Sequence, residues 1–497
     1  MLEYHNFING EWRPSRGGKR LETLEPATGL VLGTVPMSSR EDVDEAVQAA
    51  KKAFQSWRLV PAPERGEKLF RVAEILTRRK EEISQFLSRE MGKVLAEARG
   101  DVQEAIDMAY YMGGEGRRLF GKVAPSEMRN KTAWAQRDAI GVVGIITPWN
   151  FPVAIPAWKI FPALVCGNTV VFKPAEETPI LAAMFVEVLE EAGFPRGVVN
   201  LVIGDGPTTG DAIVTHPDVK VISFTGSTEV GSIVASKAGK SLKKLSLELG
   251  GKNAVIVMED ANLQLALDAT VWGAFGTTGQ RCTATSRVIV HKDVRQQFTD
   301  MLVERARTLR LGHGGDEMTE IGPLINQAAL DKVVSYEAVA AGQSARVLLG
   351  GKRHENGGGF FYEPTIWDNV EADSRLAQEE IFGPCLSIIE ANDIDDAIEK
   401  ANSIAYGLSC ALFSQDVNRA FRAIRDLETG LCYINHSTTG AEISLPFGGV
   451  KGTGNGGREA AWTALDTFTE WKSVYVDWSG TLQRAQIDNR EEGYYEP

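Results

Sequence analysis

Cys282 stands in the stretch GTTGQRCTATSR, among small and hydroxylated residues, with arginines at 281 and 287. A cysteine that only fills a core usually sits among aliphatic side chains; here the hydroxyls keep a thiol from being sealed in hydrocarbon, and the preceding glycines let backbone approach a ligand. A thiolate is a nucleophile wherever its charge is stabilised, and Arg281 could contribute to that or meet an anionic substrate. Spacing alone leaves a purely structural cysteine, and an arginine that only pairs with a neighbouring carboxylate, as open alternatives. Glu248 interrupts an apolar strand in LELGGKN just before two glycines. A carboxyl held in an apolar setting has a raised pKa that suits a general base; an exposed strand-end glutamate is the competing reading. Asn150, between Pro148 and Pro152 in TPWNFP, could donate to an oxyanion at little ordering cost, although forming a turn is the commoner role of asparagine.

Glycines mark a second kind of chemistry. GDGPTTG puts Gly204, Gly206 and Gly210 right after a strand, one residue longer than the GxGxxG dinucleotide fingerprint. FTGSTEVG puts Gly226 and Gly231 at the next strand end, where a helix N-terminus would face an anionic pyrophosphate. Lys173 and Glu176 in VVFKPAEETP lie just past a strand; they could bond ribose hydroxyls, with Glu176 repelling a 2′-phosphate, or form a solvated charged loop. No GxxxxGK[ST] motif is present, which disfavours phosphoryl transfer from a nucleoside triphosphate.

The elements that must position these residues follow from periodicity. Ser38 and Glu41 predict a reciprocal helix cap, and Val43, Val47, Ala50, Phe54 and Trp57 then share one helical face. Helical, charge-rich sequence continues from about Pro63 to Leu119. From Ala139 short β-branched runs bounded by Gly and Pro alternate with helical patterns, in AIGVVGIITP, NTVVFKP, GVVNLVIGD and VKVISFTGS. Strand-helix alternation with near-continuous apolar strands implies a parallel sheet covered on both faces, with ligands at the carboxyl ends of its strands. A second α/β domain begins near Gly250, and the tail TFTEWKSVYVDWSG reads as an exposed strand that a partner subunit could cover.

Composition bounds the rest. At 497 residues, 43% hydrophobic and 24% charged, the chain is long enough for two or three cores. A net charge of −13 with no basic stripe argues against nucleic acid. No apolar run is long enough to span a membrane and no basic-then-apolar segment opens the chain, so we read a soluble, cytoplasmic protein with no membrane partner. Five scattered cysteines without a CxxC pair and six dispersed histidines point to reduced thiols and no metal site.

Taken in order, TPWNFP, FKPAEETP, FTGSTEVG, LELGGKN, GQRCTATSR, EEIFGP and PFGGVKGTG resemble the signature segments of the aldehyde dehydrogenase superfamily, and the resemblance runs from FINGEW to FTEWKSV, almost the whole chain. It implies an α/β fold: a Rossmann-like NAD-binding domain over 1–120 and 139–249, a catalytic α/β domain over 250–449, a small β oligomerisation element from 121–138 and 470–497, and a connection at 450–469. It implies NAD, with NADP accepted by some members, and a homo-oligomer, dimer or tetramer. By the same resemblance Cys282 attacks an aldehyde carbon, Asn150 and the Cys282 amide hold the oxyanion, and Glu248 activates the water that releases the acid. Lys173 and Glu176 would hold the adenosine ribose, Gly206, Gly226 and Ser227 the pyrophosphate region, and Glu380 and Phe382 the nicotinamide half, with Ile146, Pro148, Trp149, Gly210 and Leu249 completing the cofactor contacts. Phe151, Ile155, Trp158, Arg281, His436 and Phe447 would line the substrate tunnel. GQRC and the C-terminal segment are similar to ketoglutaric semialdehyde dehydrogenases, which implies an anionic semialdehyde. Relatives that acylate coenzyme A, or that only bind nucleotide as silent scaffolds, are the alternatives; the intact Cys282, Glu248 and Asn150 set disfavours both. In many members a second acid follows the glycine-rich loop where Trp462 stands here, which puts a proton-exit role for that acid in doubt.

Overall fold

A computed structural model describes residues 2–343, 345–355 and 358–487. The last ten residues of the expected oligomerisation element, 488–497, lie outside the described residues.

One seven-stranded sheet is built from Lys244–Glu248, Val219–Thr225, Val142–Ile146, Thr169–Lys173 and Val199–Leu201 in that spatial order, all parallel, extended by the antiparallel pair Asn6–Ile8 and Glu11–Arg13. Most side chains of the parallel strands are buried, as a sheet covered on both faces requires. The chain runs from Val142–Ile146 outward through Thr169–Lys173 to Val199–Leu201, then returns to the other side for Val219–Thr225 and Lys244–Glu248. The reversal leaves a crevice beyond Ile146 and Thr225, which is where an open parallel sheet binds ligands. Asn150, Gly226 and Ser227 follow those two strand ends directly.

Three helices back this sheet near the crevice. Ala62–Glu90 and Leu95–Glu115 pack along one another and on Ala154–Val165. Helix Ala154–Val165 is apolar nearly all round and almost wholly buried. Helix Arg40–Trp57 covers part of the sheet with Val43, Ala46, Val47, Ala50 and Trp57. Its capping box is Ser39 with Asp42, one residue later than the periodicity predicts. Ser38 is withdrawn from the cap because it is buried against the sheet, where its hydroxyl accepts from Asn6 Nδ2 at 2.8 Å and its amide donates to the Ile203 carbonyl at 2.8 Å.

A second seven-stranded sheet has the order Arg346–Leu349, Thr365–Asp368, Cys385–Ala391, Thr285–His291, Asn253–Val257, Ser409–Phe413 and Leu431–Ile434, parallel except for its first strand. Asn253 lies opposite Thr285 in register, so both strands begin beside Cys282. This sheet therefore offers the amino ends of its strands to the site, and the rule of searching carboxyl ends fails for it. A three-stranded antiparallel sheet joins the hairpin Lys122–Ala124 and Lys131–Ala139 to Thr469–Asp477, the last two paired from Thr469↔Ala139 to Asp477↔Lys131. Among the described residues no helix is long and apolar enough to cross a membrane, and no three His, Cys, Asp or Glu side chains are grouped to hold a metal ion.

Candidate active site

Cys282 is carried by a strained turn. Helix Leu263–Phe275 stops at Gly276, and Thr277, Thr278 and Gly279 then adopt left-handed backbone with φ of 50, 58 and 68°. For two threonines this costs on the order of 1–3 kcal/mol each and persists only where surroundings impose it. Glu97, from helix Leu95–Glu115, supplies the constraint: one oxygen accepts from the Thr277 amide at 2.8 Å and from its hydroxyl at 3.0 Å. Thr278 donates to the Gly322 carbonyl at 3.0 Å, and Gln280 Oε1 accepts from the Ile325 amide at 2.9 Å. Gly279 must be glycine for space as well as φ, since a Cβ would stand 2.1 Å from the Gly383 carbonyl oxygen. On the other flank, Asn253 Nδ2 donates to the Cys282 carbonyl at 2.7 Å and to the Ala284 carbonyl at 3.0 Å, while its oxygen accepts from the Ser409 amide at 3.0 Å. The loop bearing the sulfur is thus tied to two strands and one distant helix.

Two cavities meet at Cys282. The larger, about 420 Å³, is walled by Phe151, Ile155, Trp158 and Phe447, with Arg281 and Glu248 among its charged residues. The smaller, about 240 Å³, is lined by Pro148, Trp149, Asn150, Gly226, Ser227 and Leu249 on one side, and by Glu380 and Phe382 on the other. Ile155, Thr225, Leu249 and Cys282 belong to both. Ile146 lies at the strand end leading into this region. Lys173, Glu176, Gly206 and Gly210 gather separately at the next strand end: Glu176 accepts from the Gly206 amide at 2.9 Å, Lys173 Nζ lies 4.0 Å from Glu176, and a Cβ on Gly210 would meet the Lys173 side chain at 3.7 Å. His436 is not among the residues that wall the larger cavity, although its ring lies beside Gly440, which is. Its exposed ring stacks on Tyr433 at 5.3 Å between centroids, and Nδ1 faces its neighbour's carbonyl at Ser437.

Around the sulfur, charge is arranged to resist ionisation. Burial pushes the Cys282 thiol up to about 12, with the Glu380 and Glu248 carboxylates adding to the rise and the Thr283 and Cys282 amides opposing it. Glu248 is 3% exposed, and neither of its oxygens has a hydrogen-bond partner among the described residues. Burial, then Glu459, holds its carboxyl well above the usual range, against Lys159 and Arg458. A Cβ at Gly448, where φ is 146°, would come within 2.6 Å of Glu248 Oε1, so glycine is what leaves that carboxyl room. Lys159, buried on helix Ala154–Val165, is ion-paired with Glu459 and donates to Ser223 Oγ at 3.1 Å. Asn150 donates through Nδ2 to the Gln280 carbonyl at 3.1 Å and keeps a second N–H for other use.

Arg281 is clamped. Its Nη2 pairs with Glu97 at 2.6 Å, its Nε donates to Thr277 Oγ1 at 2.9 Å, and its guanidinium lies 5.2 Å from the centre of the Trp272 ring.

The whole chain can now be set beside known proteins. Residues 12–474 match the model of the aldehyde dehydrogenase family. The chain belongs to the aldehyde dehydrogenase family. It is 42% identical to an alpha-ketoglutaric semialdehyde dehydrogenase of Bacillus subtilis (strain 168), over 95% of this chain and 98% of that one. It is 38% identical to a 2,5-dioxopentanoate dehydrogenase of Saccharolobus solfataricus, over 96% of this chain and the full length of the other. Its fold superposes with a TM-score of 0.94 on a betaine aldehyde dehydrogenase of Staphylococcus aureus solved in complex with NAD+, at 33% identity over 96% of this chain and 95% of that one. The protein is an oxidoreductase that oxidises aldehydes to acids.

Several residues of this aldehyde dehydrogenase site escaped sequence reasoning. The acid that faces Glu248 is Glu459, three positions before Trp462, which is itself 53% exposed. The substitution at 462 therefore removes nothing from the neighbourhood of the base. Glu97 and Asn253 were missed as well, one lying in an ordinary-looking helix and the other inside a quoted motif. The signal available for Asn253 was an amide side chain at the start of an otherwise apolar strand.

Proposed function

We propose that this aldehyde dehydrogenase oxidises an anionic semialdehyde with NAD, using Cys282 as nucleophile and Glu248 as base. The observation that carries this reading is the meeting of two cavities at one sulfur, with an unpartnered buried carboxyl on the wall of one of them. The smaller cavity suits the nicotinamide half of the cofactor. Glu380 is held by the Gly251 amide at 2.9 Å, and a Cβ at Gly250 would stand 2.6 Å from its other oxygen, so glycine clears space beside a carboxylate able to accept from ribose hydroxyls. Trp149 and Phe382 meet edge to face at 5.5 Å and close one side. Gly206, Gly226, Ser227, Pro148, Leu249 and Ile146 would take the pyrophosphate and nicotinamide side, and Lys173 and Glu176 the adenosine ribose, with Gly210 beside them. Glu176 favours NAD over NADP. Bound there, NAD supplies the acceptor for the hydride that leaves the substrate carbon.

The resting thiol holds its proton, so attack requires a local acceptor. Water entering the cavity is that acceptor as sulfur adds to the carbonyl carbon, and Glu248, with its raised pKa, is kept for the later hydrolysis. The remaining N–H of Asn150 and the Cys282 amide meet the charge that develops on oxygen. Oxidation leaves a thioester on sulfur, Glu248 draws a proton from water, and the resulting attack frees the acid and restores the thiol. Lys159 and Glu459 lie beside Glu248 and offer its protons a route onward.

The named substrates of the relatives support an anionic semialdehyde, as does Arg281 at the cavity wall beside the sulfur. We assign the cofactor role to 1–120 and 139–249, the catalytic role to 250–449, assembly into a homo-oligomer to 121–138 and 470–497, and a return connection to 450–469. We place the protein in the cytoplasm, in keeping with five cysteines that form no disulfide. Incubation with NAD and 2,5-dioxopentanoate, without coenzyme A, tests the whole reading. Continuous NADH formation with release of the dicarboxylate is expected; NADH only on addition of coenzyme A, or none at all, contradicts it.

A further inference from the structure

The larger cavity carries an acidic face. Helix Leu95–Glu115 presents Glu97, Asp101 and Glu104 to it, at successive turns. Two of the three are neutralised. Glu97 pairs with Arg281, and Asp101 accepts from Lys93 at 2.9 Å, a fully buried pair whose ammonium also lies 3.6 Å from the centre of the Phe151 ring. Glu104 makes no hydrogen bond or ion pair among the described residues, although its side chain lines the same wall. Arg281 spends Nε on Thr277 and Nη2 on Glu97, which leaves Nη1 without an acceptor among the described residues.

We propose that Glu104 is a specificity-determining residue: as a neutral carboxylic acid it donates a hydrogen bond to the distal carboxylate of the substrate, alongside Nη1 of Arg281, and as a carboxylate it turns that substrate away. This rests on the anionic-semialdehyde reading above. The physical reason is that two facing carboxyl groups are attractive only when they share a proton; both ionised, they repel across a poorly screened gap. With Glu97 and Asp101 already matched by Arg281 and Lys93, the charge state of Glu104 sets the net charge of this end of the cavity. Burial pushes the Glu104 carboxyl up to about 8, Asp101 and Asp107 add to the rise, and Lys93 and Arg281 oppose it. The remaining titratable groups on the cavity wall are Cys282, Glu248 and Glu459. Their effect on the chemical step is common to all aldehydes, and any effect of their charge on the anionic substrate is present equally in the wild type and in Glu104→Gln, so the comparison of the two isolates Glu104.

The test uses 5-oxopentanoate and pentanal, which have the same chain length and differ in the distal group, a carboxylate in one and a methyl in the other. Their kcat/KM ratio is measured with saturating NAD from about pH 7 to about pH 9. In the wild type the anionic aldehyde is favoured at the lower pH, and the ratio falls roughly tenfold across that range as Glu104 ionises. In Glu104→Gln, which keeps a donor but cannot ionise, the preference stays and its pH dependence is lost. The same fall in Glu104→Gln overturns this proposal while leaving the anionic reading standing. A wild-type ratio near one at the lower pH overturns the anionic reading and this proposal with it. If Glu104→Gln does not fold, the wild type decides alone: a ratio that stays flat across the range overturns the proposal.

Discussion

Burial raises the pKa of both Cys282 and Glu248, and the Glu248 carboxylate adds to the rise at the sulfur. Cys282→Ala is expected to abolish turnover while leaving the NAD affinity, measured by fluorescence titration, within about twofold of wild type, because Cys282 is one wall residue of the cavity proposed for the nicotinamide and the other walls are untouched. Activity surviving in that variant would remove the sulfur from the mechanism. As the proposed base, Glu248 would act only when ionised, so acid release is expected to rise as pH climbs through its raised pKa, above the range of an ordinary carboxylate. Lys159 pulls that pKa down. Lys159→Met is therefore expected to move the rising limb of the kcat profile to higher pH by about one unit, equivalent to about 1.4 kcal/mol, and a limb that does not move would leave Lys159 with structure alone. None of this pairing was legible in the sequence. Lys159 and Glu459 lie 300 positions apart, and nothing in GREAAW distinguishes an acid aimed at the base from one in water. The candidate trio stood out by composition, but spacing alone left each member a structural alternative, and the roles came from the resemblance to the aldehyde dehydrogenase superfamily.

The elements that aim these groups divide into two kinds. Strands of the first sheet end where their apolar runs end, so Asn150, Gly226 and Glu248 could be placed at strand ends from periodicity. The turn before Cys282 is different. Thr277 and Thr278 have no residue-type signal for left-handed backbone; their conformation is imposed by Glu97 and by the Gly322 carbonyl. Sequence periodicity reports which face of a helix is apolar, and it is silent on one acid that reaches from helix Leu95–Glu115 to a loop 180 positions away. Glu97→Ala removes both the Thr277 anchor and the partner of Arg281. We expect kcat to fall by about 10- to 100-fold, since roughly 1 Å of misplacement at a nucleophile has that effect, with the NAD affinity retained. A kcat within a factor of about two of wild type would show that the turn holds itself.

At the scale of the molecule, the exposed aromatic strand is the clearest unpaired feature. Among the described residues Thr469–Asp477 pairs with Lys131–Ala139 along one edge only, and Trp471, Tyr475 and Val476 are exposed on it. An edge of that length and character is a template for a second chain. Light scattering is expected to give a mass of at least two chains, and Tyr475→Asp combined with Val476→Lys to reduce it. A wild-type mass of one chain, or an unchanged mass in the double variant, would contradict a role in assembly. The two large sheets were readable as separate α/β units from their apolar runs. The way they face one another, carboxyl ends of one against amino ends of the other, was not, because strand order and direction leave no mark on a linear pattern.

The account as a whole depends on one carboxyl acting after one sulfur at the seam between those sheets. Glu248→Gln, mixed rapidly with NAD and aldehyde, tests it most directly, with NADH absorbance and intact-protein mass read together. A burst of about one NADH per site followed by a stall, with the acyl group retained on Cys282, is the predicted result. Steady turnover at the wild-type rate, or a burst without an acylated protein, would contradict it.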